Sequence, residues 1–237
     1  MTDIPVPPWP GTRKAAPRRA LSQDALVAAA LRVIETEGME ALSMRRVAQD
    51  LGTGPASLYA HVSGREELVR LVLDQVIGEL DLPEPDPAQW QRQLKDVMRE
   101  GRRILARHGD LARLFAEIGV PLGPNYVRAT ECLLAILRGA GLSDRDCAYG
   151  ADMLALYISG YTAEQATRAG AAAAAGRSGE DLTHAAARAY YASLPVERFP
   201  TVHDMIDELV RDVADERFEF GLDLLVAGLA ARIPAAR

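Results

Sequence analysis

Leu26, Ala29, Ala30, Val33 and Ile34 recur at three and four positions, the spacing that lines up one face of an α-helix. Ser22 stands ahead of them as an N-cap and Gly38 closes the run, so the pattern predicts a first helix between these residues. Met44, Val47, Ala48 and Leu51 make the apolar face of a second, short helix capped by Ser43. Gly52-Thr53-Gly54 breaks it, and Pro55 suits the first turn of a third helix over 56–62. Ser63 is placed to cap a fourth over 65–80, with Leu68, Leu71, Val72, Gln75 and Val76 repeating and Glu66 and Glu67 in the first turn. Pro83, Pro85 and Pro87 then interrupt the periodicity and mark the clearest boundary in the chain. Beyond it, helical spacing predicts segments at 88–107, 110–117, 124–138, 144–168, 181–193, 202–210 and 212–232. The run of small residues over 169–179 reads as a loop. No alternating strand pattern and no internal repeat appears, so the expected fold class is all-α.

Composition agrees with this pattern. The 237 residues are 49% hydrophobic and only 5% aromatic, and the abundant alanine and leucine are strong helix formers. No apolar run reaches the length of a membrane span, and residues 1–10 carry four prolines rather than a signal-peptide core. A cytoplasmic protein is expected. Cys132 and Cys147 lack metal-ligand spacing and read as small buried hydrophobes. The net charge of −6 argues against a polyanionic partner, but its distribution reverses that argument. Residues 1–70 hold 9 basic and 8 acidic side chains, a net of +1, which leaves −7 for the remainder. A locally basic end on an acidic body is the footprint of a DNA-binding module joined to a larger domain. Three regions follow: a basic arm over 1–20, a DNA-binding domain over 21–64, and a larger helical domain over 65–237.

Two short helices joined by a glycine turn make a helix-turn-helix, in which the second helix enters the major groove while the first crosses the backbone. Helical hairpins of this kind are common, but here the second helix presents Ser57, Tyr59 and His61 beside apolar Leu58 and Val62, flanked by Arg45 and Arg65. The run LSMRRVAQDLGTGPASLYAHVSGREELV resembles the DNA-binding domain of the tetracycline repressor (TetR) family at Leu42, Arg45, Ala48, Leu51, Gly52, Ser57, Leu58, Tyr59, His61 and Val62. The C-terminal run Arg217 to Ile233 resembles the last dimerisation helix of the same family's tetracycline-repressor subgroup. The resemblance implies that Arg45 reaches a base edge, that Ser57, Tyr59 and His61 hydrogen-bond phosphates, and that Arg65 pairs with a phosphate. Packing within a three-helix core is the competing role for Tyr59 and His61. Where close relatives carry a base-reading glutamine-proline pair, this chain has Pro55-Ala56. Pro55 has no amide to donate and Ala56 offers only an apolar contact, so a different operator is expected. Arg13, Lys14, Arg18 and Arg19 of the arm either follow a minor groove or remain a solvated tail.

In the last helix Phe218, Leu222, Leu225 and Leu229 form an apolar stripe, with Gly221 and Gly228 seven apart, and Gly160 marks an earlier helix in the same way. The resemblance implies that the two helices pair with their symmetry mates in a homodimer; packing within one chain is the alternative. It also implies a ligand cavity whose lining includes Val97, Gly101, Phe115, Ile118, Cys132, Ala148 and Asp152. Phe115 stands where the subgroup carries a metal-binding histidine, so no metal and no cofactor are expected, and an apolar or aromatic effector suits the pocket. Asp152 meets a donor on the ligand or lies on a wet helix edge. His108, at a helix junction, reads as a capping residue. The expected function is a repressor that grips a palindromic operator and is released by a small effector. An effector-independent or architectural DNA-binding factor of the same fold is the alternative, and no nucleophile–base pair or phosphate loop suggests an enzyme.

Overall fold

The computed structural model describes residues 21–108, 111, 123–174, 179–211 and 214–234, with backbone alone at 171–174 and 179–183. All regular structure among them is helical. Helix α1 spans Gln23–Glu37, capped as expected by the Ser22 hydroxyl, which accepts from the Ala25 amide at 3.2 Å. A 3-10 turn over Met39–Ala41 leads to α2, Met44–Asp50, where the Ser43 hydroxyl accepts from the Arg46 amide at 3.1 Å. Helix α3, Pro55–Leu58, is a single turn, and α4 spans Arg65–Ile77. The N-cap of α4 is Gly64 rather than Ser63. The Ser63 amide instead donates to the Glu67 carboxylate at 2.6 Å, so the cap reaches back from inside the helix.

The prolines at 83, 85 and 87 precede α5, Trp90–Arg107. Then come α6, Pro124–Gly139; α7, Asp144–Ala174; α8, Gly179–Ala192; α9, Pro200–Asp204; α10, Ile206–Leu209; and α11, Ala214–Ala230. Helix α7 runs past the loop expected from residue 169, because a polyalanine stretch is also the best helix former. The expected helix over 202–210 is two short ones broken at Met205. Apart from Leu111, which is buried in the first of the two apolar cores, the segment predicted over 110–117 lies outside the described residues, as does the arm over 1–20.

Two apolar cores result. The first packs α1, α2, α3 and α4 around Leu26, Ala30, Val47, Leu58, Leu68 and Val72. It also takes in Ile104 from α5. The second gathers α5, α6, α7 and α11 around Leu94, Met98, Ile136, Leu154, Phe218 and Leu222. Phe218 and Leu222 are fully buried within the protomer, so these two cannot face a second copy; the sequence spacing found the stripe but placed it on the wrong side. Gly221 likewise serves packing within the chain, since a Cβ there would collide with the Tyr157 side chain of α7.

Candidate functional site

The helix-turn-helix is built by local chemistry. Gly52 adopts φ +63° at the end of α2, a backbone that side-chain-bearing residues rarely take, and the Thr53 amide closes the turn on the Ala48 carbonyl at 2.9 Å. A one-turn helix has no stability of its own. Leu58 and Val62, both buried in the first core, hold α3 in place. This leaves Pro55, Ala56 and Ser57 exposed on one surface, with Tyr59 55% exposed and His61 half-buried. The His61 carbonyl accepts from the Gln23 side chain at 3.3 Å, which ties this surface back to α1.

The cations around α2 divide into two kinds. Arg32 pairs with Asp50 at 2.6 Å and Arg46 with Glu37 at 2.5 Å. The Arg46 hydrogen bonds hold the Glu37 carboxyl below the usual carboxylate range. Arg45 is exposed beside them and makes no ion pair with any described residue, so its charge is available to an outside partner. Arg65 commits two guanidinium donors to the fold: Nε to the Leu42 carbonyl at 2.9 Å and Nη2 to that of Met39 at 3.4 Å. It braces the start of α4 against the α1–α2 connection, a role that sequence spacing did not suggest.

A second candidate site lies below. A cavity of about 300 Å³ opens between α4, α5, α6 and α7, within the size range of small-molecule sites. Val76, Ile77 and Leu80 come from α4 and its extension; Val97, Met98, Gly101, Ile104 and Leu105 from α5. Helix α6 adds Tyr126, Ala129, Thr130, Leu133 and Leu134, and α7 adds Ala148, Ala151, Asp152, Ala155 and Ile158. The lining is apolar apart from Tyr126, Thr130 and Asp152. The Thr130 hydroxyl donates to the Tyr126 carbonyl at 2.9 Å.

Of the expected lining residues, Val97, Gly101, Ala148 and Asp152 do converge here, the last two at the exposed rim. Cys132 does not. The cavity face of α6 follows 126, 129, 130, 133 and 134, and Cys132 falls between these positions. Its thiol donates to the Pro83 carbonyl at 3.4 Å, and burial pushes its pKa up. Phe115 and Ile118 lie outside the described residues. None of the expected lining residues lay on α4 or its extension, which supply Val76, Ile77 and Leu80. Among the described residues no three His, Cys, Asp or Glu side chains gather as a metal would need, and no helix is long and apolar enough to cross a membrane.

On the far side, α7 and α11 leave apolar side chains uncovered. Tyr149, Met153 and Leu156 repeat along α7 and Phe220 and Leu224 along α11, each between 47% and 65% exposed. Gly160 and Gly228 share this exposure, and a Cβ at either would meet open space. Leu225 and Leu229 are half-buried at its edge, beside a groove also lined by Tyr149, Met153 and Leu224.

Comparison with known proteins agrees with both halves. Residues 26–72 match the model of the bacterial regulatory proteins of the tetR family, and residues 82–233 that of the tetracyclin repressor-like C-terminal domain. The HTH-type transcriptional repressor DrrR1 of Streptomyces coeruleorubidus is 30% identical over 93% of this chain and 82% of its own length. The Streptomyces coelicolor TetR family protein ActR, solved in complex with actinorhodin, shares 41% identity over 92% of this chain and 99% of its own, with a TM-score of 0.84. BioQ, solved with its double-stranded DNA operator, shares 25% identity over 89% of this chain and 99% of its own, at a TM-score of 0.63. The chain belongs to the TetR family of bacterial DNA-binding transcriptional regulators, with a tetracycline-repressor-like C-terminal domain.

Proposed function

We propose that this protein is a repressor that binds a palindromic operator as a homodimer and leaves it when a small apolar or aromatic effector fills the cavity. One observation carries the reading: α4 is at once part of the DNA-domain core and a wall of the cavity, through Val76. A ligand in the cavity therefore touches the helix that carries the recognition unit. Release follows if the ligand binds a shifted α4 better than the operator-bound one, with a coupling typically of about 1–3 kcal/mol. The apolar lining suits a flat hydrophobic ligand with a few polar groups, and Asp152 at the rim offers an acceptor. Binding of actinorhodin by ActR supports this ligand class. The exposed apolar faces of α7 and α11 supply a dimer surface, and a twofold axis would set two recognition helices about 34 Å apart.

Arg45 is assigned to a base edge or phosphate, Ser57, Tyr59 and His61 to phosphates, and Pro55 and Ala56 to apolar contacts. The test is a duplex selected by the protein from random DNA, followed by mobility-shift assays with fused-ring aromatic compounds, actinorhodin among them. A palindromic duplex released by a compound that also binds the free protein is the expected result. A complex indifferent to every compound that binds would overturn the release mechanism and favour effector-independent DNA binding.

A further inference from the structure

Asp74 is the only charged side chain that lies buried among the described residues, 6% exposed on α4. A buried carboxylate is costly unless it is bonded, and no cation among the described residues forms an ion pair with this one. Its partners are the first amides of α6. Oδ1 accepts from the Tyr126 amide at 2.9 Å. Oδ2 accepts from the Asn125 amide at 3.3 Å and from Asn125 Nδ2 at 3.2 Å. A helix start is normally capped by its own N-cap side chain. Here the N-cap is Gly123, which makes no side-chain bond, and a Cβ at that position would collide with the Asp74 carboxylate. The cap is thus supplied by α4, and the partial positive charge at the start of α6 is neutralised from another helix.

This joint sits beside the cavity on both sides. Tyr126, whose amide Asp74 holds, lines it, and so do Val76 and Ile77, two and three residues beyond Asp74. The geometry points to Asp74 as the positioning residue that transmits occupancy of the cavity to α4, an inference that rests on the effector reading above. A ligand pressing on the first turns of α6 cannot slide that helix past α4 while the three bonds hold. It moves the two together, and α4 carries the displacement into the DNA-binding core. With the tie weakened, α6 yields alone.

A side chain grown into the cavity replaces an unidentified ligand in the test. Ala129 lines the cavity from α6, and Ala129→Phe fills part of it. Affinity is measured for the duplex selected from random DNA, in the native background and in Asp74→Asn, which keeps one acceptor and the shape but removes the charge. Ala129→Phe is expected to weaken operator binding about 5- to 150-fold in the native background and less than about threefold with Asp74→Asn, as in a double-mutant cycle. Asn125→Ala removes one of the three bonds and gives an intermediate factor; it also reports if Asp74→Asn does not fold by circular dichroism. A merely structural role for Asp74 would lower the melting temperature and leave the factor unchanged. Equal factors in all backgrounds overturn the inference and leave the effector reading standing. No effect of Ala129→Phe in the native background overturns both.

Discussion

Leu156→Ala and Leu222→Ala should separate dimerisation from folding. Leu156 of α7 is 57% exposed in the protomer, whereas Leu222 of α11 is fully buried. Full burial of a leucine stabilises by about 1.5–3 kcal/mol, so covering the exposed part of Leu156 contributes roughly 0.9–1.7 kcal/mol. A twofold axis applies the substitution twice. Leu156→Ala should therefore weaken the proposed homodimer by roughly 2–3 kcal/mol, about 30- to 150-fold in Kd. Its melting temperature, read at a dilution where both proteins are monomeric, should change little, because Leu156 is exposed in the protomer. Leu222→Ala leaves a cavity in the second core and should cost about 2–5 kcal/mol of stability. Sedimentation equilibrium gives the first quantity and thermal unfolding the second. The reasoning fails if Leu222→Ala dissociates the dimer while keeping its melting temperature, or if Leu156→Ala leaves the dissociation constant unchanged.

Three further outcomes follow from the same coordinates. Gly221→Ala should destabilise by about 1–3 kcal/mol through overpacking, because the Tyr157 hydroxyl it would strike is held by donating to the Phe218 carbonyl at 2.9 Å. Adding Tyr157→Phe should restore part of the loss, and a double variant as unstable as Gly221→Ala alone would contradict that cause. Leu58→Ala should cost about 2–5 kcal/mol and abolish operator binding, since α3 is a single turn anchored there, while Tyr59→Phe should lower operator affinity alone. Operator binding that survives Leu58→Ala would refute this anchoring. Glu219 is held below its ordinary value of 4.5, first by the hydrogen bonds from Arg99. A depressed carboxylate contributes stability above 4.5 that is lost as pH falls through the folded-state value. Glu219→Gln should flatten the acid limb of the melting curve below 4.5 by less than about 1 kcal/mol, given the exposure of the pair; parallel curves for the two proteins would refute it.

What the sequence made legible was local. Ser22 and Ser43 cap helices that begin a residue or so later, and Leu58 and Val62 alternate inward within one turn, so neighbours along the chain decide them. The side of a stripe is not local. Phe218 and Leu222 repeat as a dimer seam would, but only the packing of α11 on α5 and α7 shows that this stripe faces the protomer's own core. Residues at 220, 224 and 228 take the outer face instead. Asp74 was invisible for the same reason. A lone aspartate in an apolar helix looks like a solvated position, and its partners are 51 and 52 residues away. His108 is the C-cap of α5, as the helix junction suggested. Its backbone amide donates to the Leu105 carbonyl; what the sequence did not show is that the imidazole lies between Glu35 of α1 and Glu79, 3.1 Å from each.

These long-range ties also join the two halves of the molecule. The prolines at 83, 85 and 87 mark the clearest interruption of the helical pattern, and the regions expected from the sequence divide earlier, between residues 64 and 65. Packing crosses both positions. Val76 of α4 and Ile104 of α5 each belong to the DNA-domain core and each line the cavity. Arg107 pairs with Glu79 at 2.7 Å, so the end of α5 is fixed to the extension of α4 by charge as well as by packing. A ligand thus meets two walls that are themselves parts of the DNA-binding unit. Because close-packed interiors do not deform continuously, filling a cavity with such walls shifts whole helices, and the bonds of Asp74 to Asn125 and Tyr126 are placed to make α6 move with α4 rather than past it.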